Sequence, residues 1–161
     1  MRISLFDIDM AIKKYNLYLF IIFSCLFDDT SILDEQLKDE NIITNSISIE
    51  LLNCDSHLLI SLINETSNYD KLLDRIKETL DDIKISSEDL ERKKKVLISN
   101  ELFSFENIEI INDMIVDNVI FEDKVDSNMI ELIKGLNIDE LNSIVNNIDL
   151  SNNSIVIVKD N

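Results

Sequence analysis

One histidine sets the limit on what chemistry this chain can carry. His57 is the only imidazole among 161 residues. A zinc ion that activates water draws three protein ligands from His, Cys, Asp and Glu. Cys25 and Cys54 have no C-x-x-C partner, so neither a redox nor a structural zinc spacing exists. Cys54-Asp55-Ser56-His57 brings a thiol near the imidazole in sequence. The nucleophile and base of a thiol hydrolase converge from separate segments, so these four residues read as a turn. Asp7-Ile8-Asp9 has the D-x-D spacing used when one Asp attacks phosphorus and the other shuttles the proton. That motif continues into Gly-Thr, whereas Met10 and Ala11 follow here. It also needs alternating strands and helices, which the rest of the chain lacks. A small magnesium-dependent hydrolase using Asp7 and Asp9 is therefore the weakest reading. Asp28-Asp29, Asp81-Asp82 and Glu88-Asp89 fall at predicted helix ends and have neither the spacing nor the glycine of a calcium loop. The residues name no catalytic, cofactor-binding or metal-ligating side chain.

Composition narrows the partners. A net charge of −17 with pI about 4.2 repels a phosphate backbone, which excludes nucleic acid. Lys93-Lys94-Lys95 is the only basic cluster, and on a helix it reads as a solvated face. A hydrophobic fraction of 45% suits a packed core, not disorder. The absence of Pro and a lone Gly135 leave no linker, so residues 1–161 read as one domain. Leu17–Phe27 is strongly apolar but shorter than the ~20 residues of a membrane span. Lys13 and Lys14 before it, and Ile22-Phe23-Ser24-Cys25 within it, imitate a lipoprotein leader. Asp7 and Asp9 and the bulk of Phe23 oppose that, and a buried core helix is expected. The two cysteines then read as buried, reduced thiols of a cytoplasmic protein with no membrane partner.

The positioning elements follow from periodicity. Arg2–Phe6 reads as a strand, Ala11–Phe27 as a buried helix and Ser31–Glu40 as a short amphipathic helix. Ile47 and Ile49 alternate with polar neighbours within Ile42–Leu52, and His57–Ile63 is a second strand. Turn residues 53–56 make the two a hairpin. Leu72, Ile76, Leu80 and Ile83 form a helical stripe that Ser67 and Asp70 open, and Ser86 with Asp89 opens the next helix. Ile108, Ile111, Ile115 and Val119 mark another helix; Met129, Ile130 and Ile133 mark a short one. Asn137 caps a last helix whose apolar face is Leu141, Ile144, Val145 and Ile148. Ile155–Val158 is expected to be a final buried strand. The order predicts an α+β fold: a two-layer sandwich with a mostly antiparallel sheet and helices on one face.

Four tracts, taken in order, resemble one family. Ile85-Ser86-Ser87-Glu88-Asp89-Leu90-Glu91-Arg92-Lys93, running on to Leu102-Phe103-Ser104-Phe105-Glu106, is similar to the turn and helix of the C-terminal half-domain of insulinase and pitrilysin-type peptidases and the mitochondrial processing peptidase. Thr30–Ile43, Ile133–Leu141 and Asn153–Val158 resemble the tracts flanking it in that family, so the likeness spans residues 12 to 158. Catalytic members carry H-x-x-E-H, two histidines one helical turn apart with Glu as general base. A chain with one histidine cannot carry that motif. The resemblance implies a non-catalytic domain that helps wall a peptide-binding chamber, with zinc only in a separate catalytic domain of the parent. Its partners would be another peptidase-family domain, in the same chain or a partner chain, and the peptide substrate. Some members place an Arg and a Tyr near the second hairpin strand to hold substrate. His57–Tyr69 contains no Arg, and Tyr69 is only near the place, so no site residue is carried over. The rival reading is a stand-alone interaction domain of the same fold with no link to proteolysis.

Overall fold

The computed structural model describes residues 2–4, 12–54, 57–122 and 129–159. The chain divides into two compact units, Met1–Ile85 with Leu141–Asn161, and Ser86–Glu140.

The core of the first unit is built on α1 (Ile12–Phe27). Tyr18, Leu19, Ile21, Ile22, Phe23 and Phe27 are fully buried, which is why this segment is apolar nearly all round. At 16 residues α1 is too short to cross a bilayer of ~30 Å. The stretch Ile12–Asp39 passes a length-and-hydropathy test for a span only when α2 is counted with α1. The helix stops at Phe27, where Asp28 accepts from the Thr30 backbone N–H at 3.0 Å. α2 (Ile32–Asp39) starts at Ser31, whose hydroxyl accepts from the Asp34 N–H at 3.1 Å. It ends where Asn41 takes φ 53°, a left-handed conformation that Asn tolerates, and the Ile42 N–H reaches back to Leu37.

The sheet is antiparallel, in the order β1 (Arg2–Ser4), β3 (His57–Ile63), β2 (Ser48–Cys54). The register sets Leu58 opposite Asn53 and Ile60 opposite Leu51. Leu58 and Ile60 are buried, while Leu52, Leu59 and Ile63 on the opposite face are exposed. α1 packs on β2 and covers the buried face. This is α+β with far more helix than sheet. The expected strand from Ile42 begins only at Ser48. Ile42, Ile43 and Ile47 are nevertheless buried, because the segment is tied down from the side: Thr66 donates its hydroxyl hydrogen to the Ile42 carbonyl, and the Asn64 amide donates to the Asn45 carbonyl at 2.7 Å.

α3 (Tyr69–Asp81) buries Leu72 and half-buries Ile76 and Leu80. Its cap differs from expectation. Asn68 is the N-cap and makes no side-chain cap bond, while Thr66 accepts the Asn68 N–H at 3.0 Å. The expected C-terminal strand also differs. Ile155–Val158 takes part in no strand pairing among the described residues and is exposed along its length.

The second unit holds α4 (Ser87–Ser104), α5 (Ile108–Glu122) and α6 (Met129–Lys134). α7 (Ile138–Asn147) runs from this unit into the first. Ser86 and Asp89 form the full capping box: the Asp89 N–H donates to the Ser86 hydroxyl oxygen at 3.1 Å, and the Ser86 N–H donates to the Asp89 carboxylate at 3.2 Å. Asn137 accepts from the Glu140 N–H at 2.9 Å, as its place before α7 predicts. α4 packs on α6, with Leu90, Ile133 and Leu136 buried.

Candidate functional site

The hairpin makes Cys54 on β2 the antiparallel backbone partner of His57 on β3. Cys54 is exposed and Cys25 is half-buried, so neither is the fully buried thiol expected. Asp7 and Asp9 lie outside the described residues. Among the described residues, no group of three or more His, Cys, Asp and Glu is placed to hold a metal ion.

Cations at two places in the chain hold positions that sequence reasoning missed. Lys93 and Lys94 are buried, in place of the solvated face expected for the Lys93–Lys95 run; Lys95 alone is exposed. The Lys94 ammonium donates to the Leu136 carbonyl at 3.0 Å and to Glu91 at 2.7 Å, tying α4 to the residue that follows α6 and Gly135. The partner carbonyl lies 42 residues away, so no local signal announces it. Lys159 is the second. Its ammonium lies 4.6 Å from the centroid of the Tyr69 ring and donates to the Tyr69 hydroxyl at 3.2 Å. Tyr69, the tyrosine near the family's substrate-holding position, is thus engaged by the C-terminal segment.

Electrostatics are otherwise those of a solvated acidic surface. Asp89 is held below its ordinary value of 3.8, chiefly by the Ser86 hydroxyl, with the Ser86 N–H and Arg92 adding to it. Burial raises the Tyr15 phenol. Asp34 is buried and paired with Lys38 at 2.7 Å, a contact one helical turn long within α2. Asp89 thus caps α4, and Asp34 braces α2. What the geometry offers instead is binding surface. Exposed apolar side chains occur at Leu52, Leu59 and Ile63 on the open sheet face, at Ile155–Val158, and around the junction of α4 and α5.

The fold is that of a domain found in M16-like peptidases, the insulinase-type class the sequence resembles. The chain superimposes on a protein described as an M16-like peptidase from Alicyclobacillus acidocaldarius with a TM-score of 0.74 at 17% identity, covering 84% of this chain and 33% of that one. It also matches the periplasmic protease PqqL from Escherichia coli, with a TM-score of 0.63 at 17% identity, covering 91% of this chain and 17% of that one. The chain therefore spans a third or less of the length of these structures. No family model matches the sequence, and no curated protein matches it.

Proposed function

We propose that residues 1–161 form one non-catalytic domain of an insulinase-like zinc metallopeptidase, or of a peptidase-like protein, and help wall its peptide-binding chamber. The observation that carries this reading is the fold likeness over 84% of the chain to one third of a longer M16-like chain. The family-like tracts from Thr30 to Val158 support it, since they occur in order along the same residues. A domain of this kind needs other domains beside it, in the same polypeptide or a partner chain. Exposed Ile, Leu, Phe and Val side chains fit that need, because a monomer gains nothing from leaving them in water.

Zinc chemistry on this reading belongs to the separate domain that bears H-x-x-E-H. This chain's contribution is shape: the α1-backed sheet presents an open face, and the helical unit presents a second surface. The setting proposed is cytoplasmic, and the finer architecture is a two-layer sandwich with the sheet's second face available to a neighbour.

The test is the gene sequence on both sides of this segment. A reading frame that continues into a domain with H-x-x-E-H supports a peptidase domain. A frame that continues into a similar domain without the motif makes the parent a non-catalytic partner. Stop and start signals tightly bounding residues 1–161, with no peptidase gene beside them, would favour the stand-alone interaction domain instead.

A further inference from the structure

We infer that the junction of α4 and α5 is a docking surface for a protein partner whose apolar side chains are set among Lys and Arg. The assignment deepens the reading above, and rests on it in one respect: it takes this chain to be a domain that pairs with another.

Two observations meet here. The first is exposure. Leu102, Phe103 and Phe105 close α4 and its turn, with Phe103 at 67% exposure, and Ile108 opens α5 at 80%. Ile110, Ile115 and Val116 on α5 are exposed as well. Among the described side chains of α5, only Ile111 is even half-buried. A helix this apolar whose described side chains meet water in this way is a surface awaiting a partner. The turn is well fixed, so these side chains are held together. The Asn107 side chain accepts from the Glu109 N–H at 2.9 Å, and the Glu106 and Asn107 N–H groups bond back to Phe103 and Ser104.

The second observation is charge. No Lys or Arg occurs between Lys95 and Lys124, while Glu101, Glu106, Glu109 and Asp113 stand among the apolar residues. Two copies of such a face repel each other, and an anionic lipid surface is repelled too. A complementary partner places cations around its apolar anchors, which speeds encounter and fixes register, while the aromatic anchors supply most of the affinity.

The probe is a synthetic amphipathic helix of Leu and Lys, with a Leu/Glu peptide of the same pattern as its counterpart. Binding to the full chain is followed by fluorescence anisotropy at low and physiological salt. The Leu/Lys peptide is expected to bind, more weakly as salt rises, and the Leu/Glu peptide not to bind. Phe103→Ser with Ile108→Asn is expected to weaken binding about tenfold or more, the effect of losing central anchors. Both side chains are largely exposed, so the variant should keep its circular dichroism and melting temperature. Glu106→Lys with Glu109→Lys should weaken binding while leaving the apolar residues in place. Three results would each overturn the assignment: no binding at about millimolar peptide, binding unchanged in the Phe103/Ile108 variant, or binding to neutral lipid vesicles in place of the peptide. The measurement needs no zinc-bearing partner, so its failure is distinct from failure of the peptidase reading.

Discussion

Replacing Lys94 tests the internal logic of the helical unit most sharply. The ammonium is buried, and it satisfies the Leu136 carbonyl at 3.0 Å. Its other partner, Glu91, is exposed and can return to water when the lysine is lost. The carbonyl has no such freedom while α4 packs on α6. Lys94→Met keeps most of the aliphatic stem and removes only the donor. A charged hydrogen bond contributes about 1.5–3 kcal/mol net, and an orphaned buried acceptor costs about 1–3 kcal/mol. Relief of the ammonium's desolvation offsets part of this. A net loss of about 1–2 kcal/mol is expected for Lys94→Met. Lys94→Ala should lose about 2–4 kcal/mol, because buried methylenes add about 0.8 kcal/mol each. For a chain of this size each kcal/mol moves the melting temperature by about 2–4 °C. Lys95→Ala, at an exposed neighbour, should stay within about 0.5 kcal/mol. Urea and thermal unfolding of the three variants decide the matter. A Lys94→Met protein as stable as wild type, or indistinguishable from Lys95→Ala, would refute the bond's role.

Capping and packing elsewhere in the chain set further outcomes. Ser86→Ala should lose about 1 kcal/mol in urea unfolding, as removal of an N-cap hydroxyl does. Asp89 has a folded-state pKa below its unfolded value, so the capping box stabilises in full above pH 3.8 and is lost as pH falls through the lowered value. The stability difference between wild type and Asp89→Asn should therefore shrink on acidification below pH 3.8, and a gap that widens there would contradict the box. Leu58→Ala, at a fully buried strand position, should lose about 2–5 kcal/mol, whereas Leu59→Ala on the open face should lose much less. A thiol reagent should label Cys54 before Cys25 in the native chain, with mass spectrometry reading the order.

Local signals were legible and distant ones were not. Ser86 with Asp89 and Asn137 with Glu140 could both be read, because each cap is settled within four residues. Ser67 is not the cap, since α3 starts one residue later than its spacing to Asp70 predicts, with Asn68 as N-cap. The burial of Lys94 depends on a carbonyl far along the chain, which charge pattern cannot reveal. Ile155–Val158 has the composition of a strand, but composition does not name the edge it would pair with, and here the segment stays exposed. The fold likeness to a peptidase domain was readable from ordered tracts, although no single tract carried it. The apolar, cation-free junction of α4 and α5 was hidden, because a helical stripe through Ile108, Ile111 and Ile115 looks the same whether it faces a core or water.

On the proposed function, this chain completes a peptidase without doing its chemistry. The direct measurement pairs the full chain with the H-x-x-E-H domain from the same source, joined or separate, and follows cleavage of a fluorogenic peptide. The account predicts no cleavage by this chain alone, and at least a tenfold rise in kcat/KM when it joins the zinc-bearing domain, equivalent to about 1.4 kcal/mol of transition-state stabilisation. Full activity of the zinc-bearing domain without it, unchanged by its addition, would contradict the account.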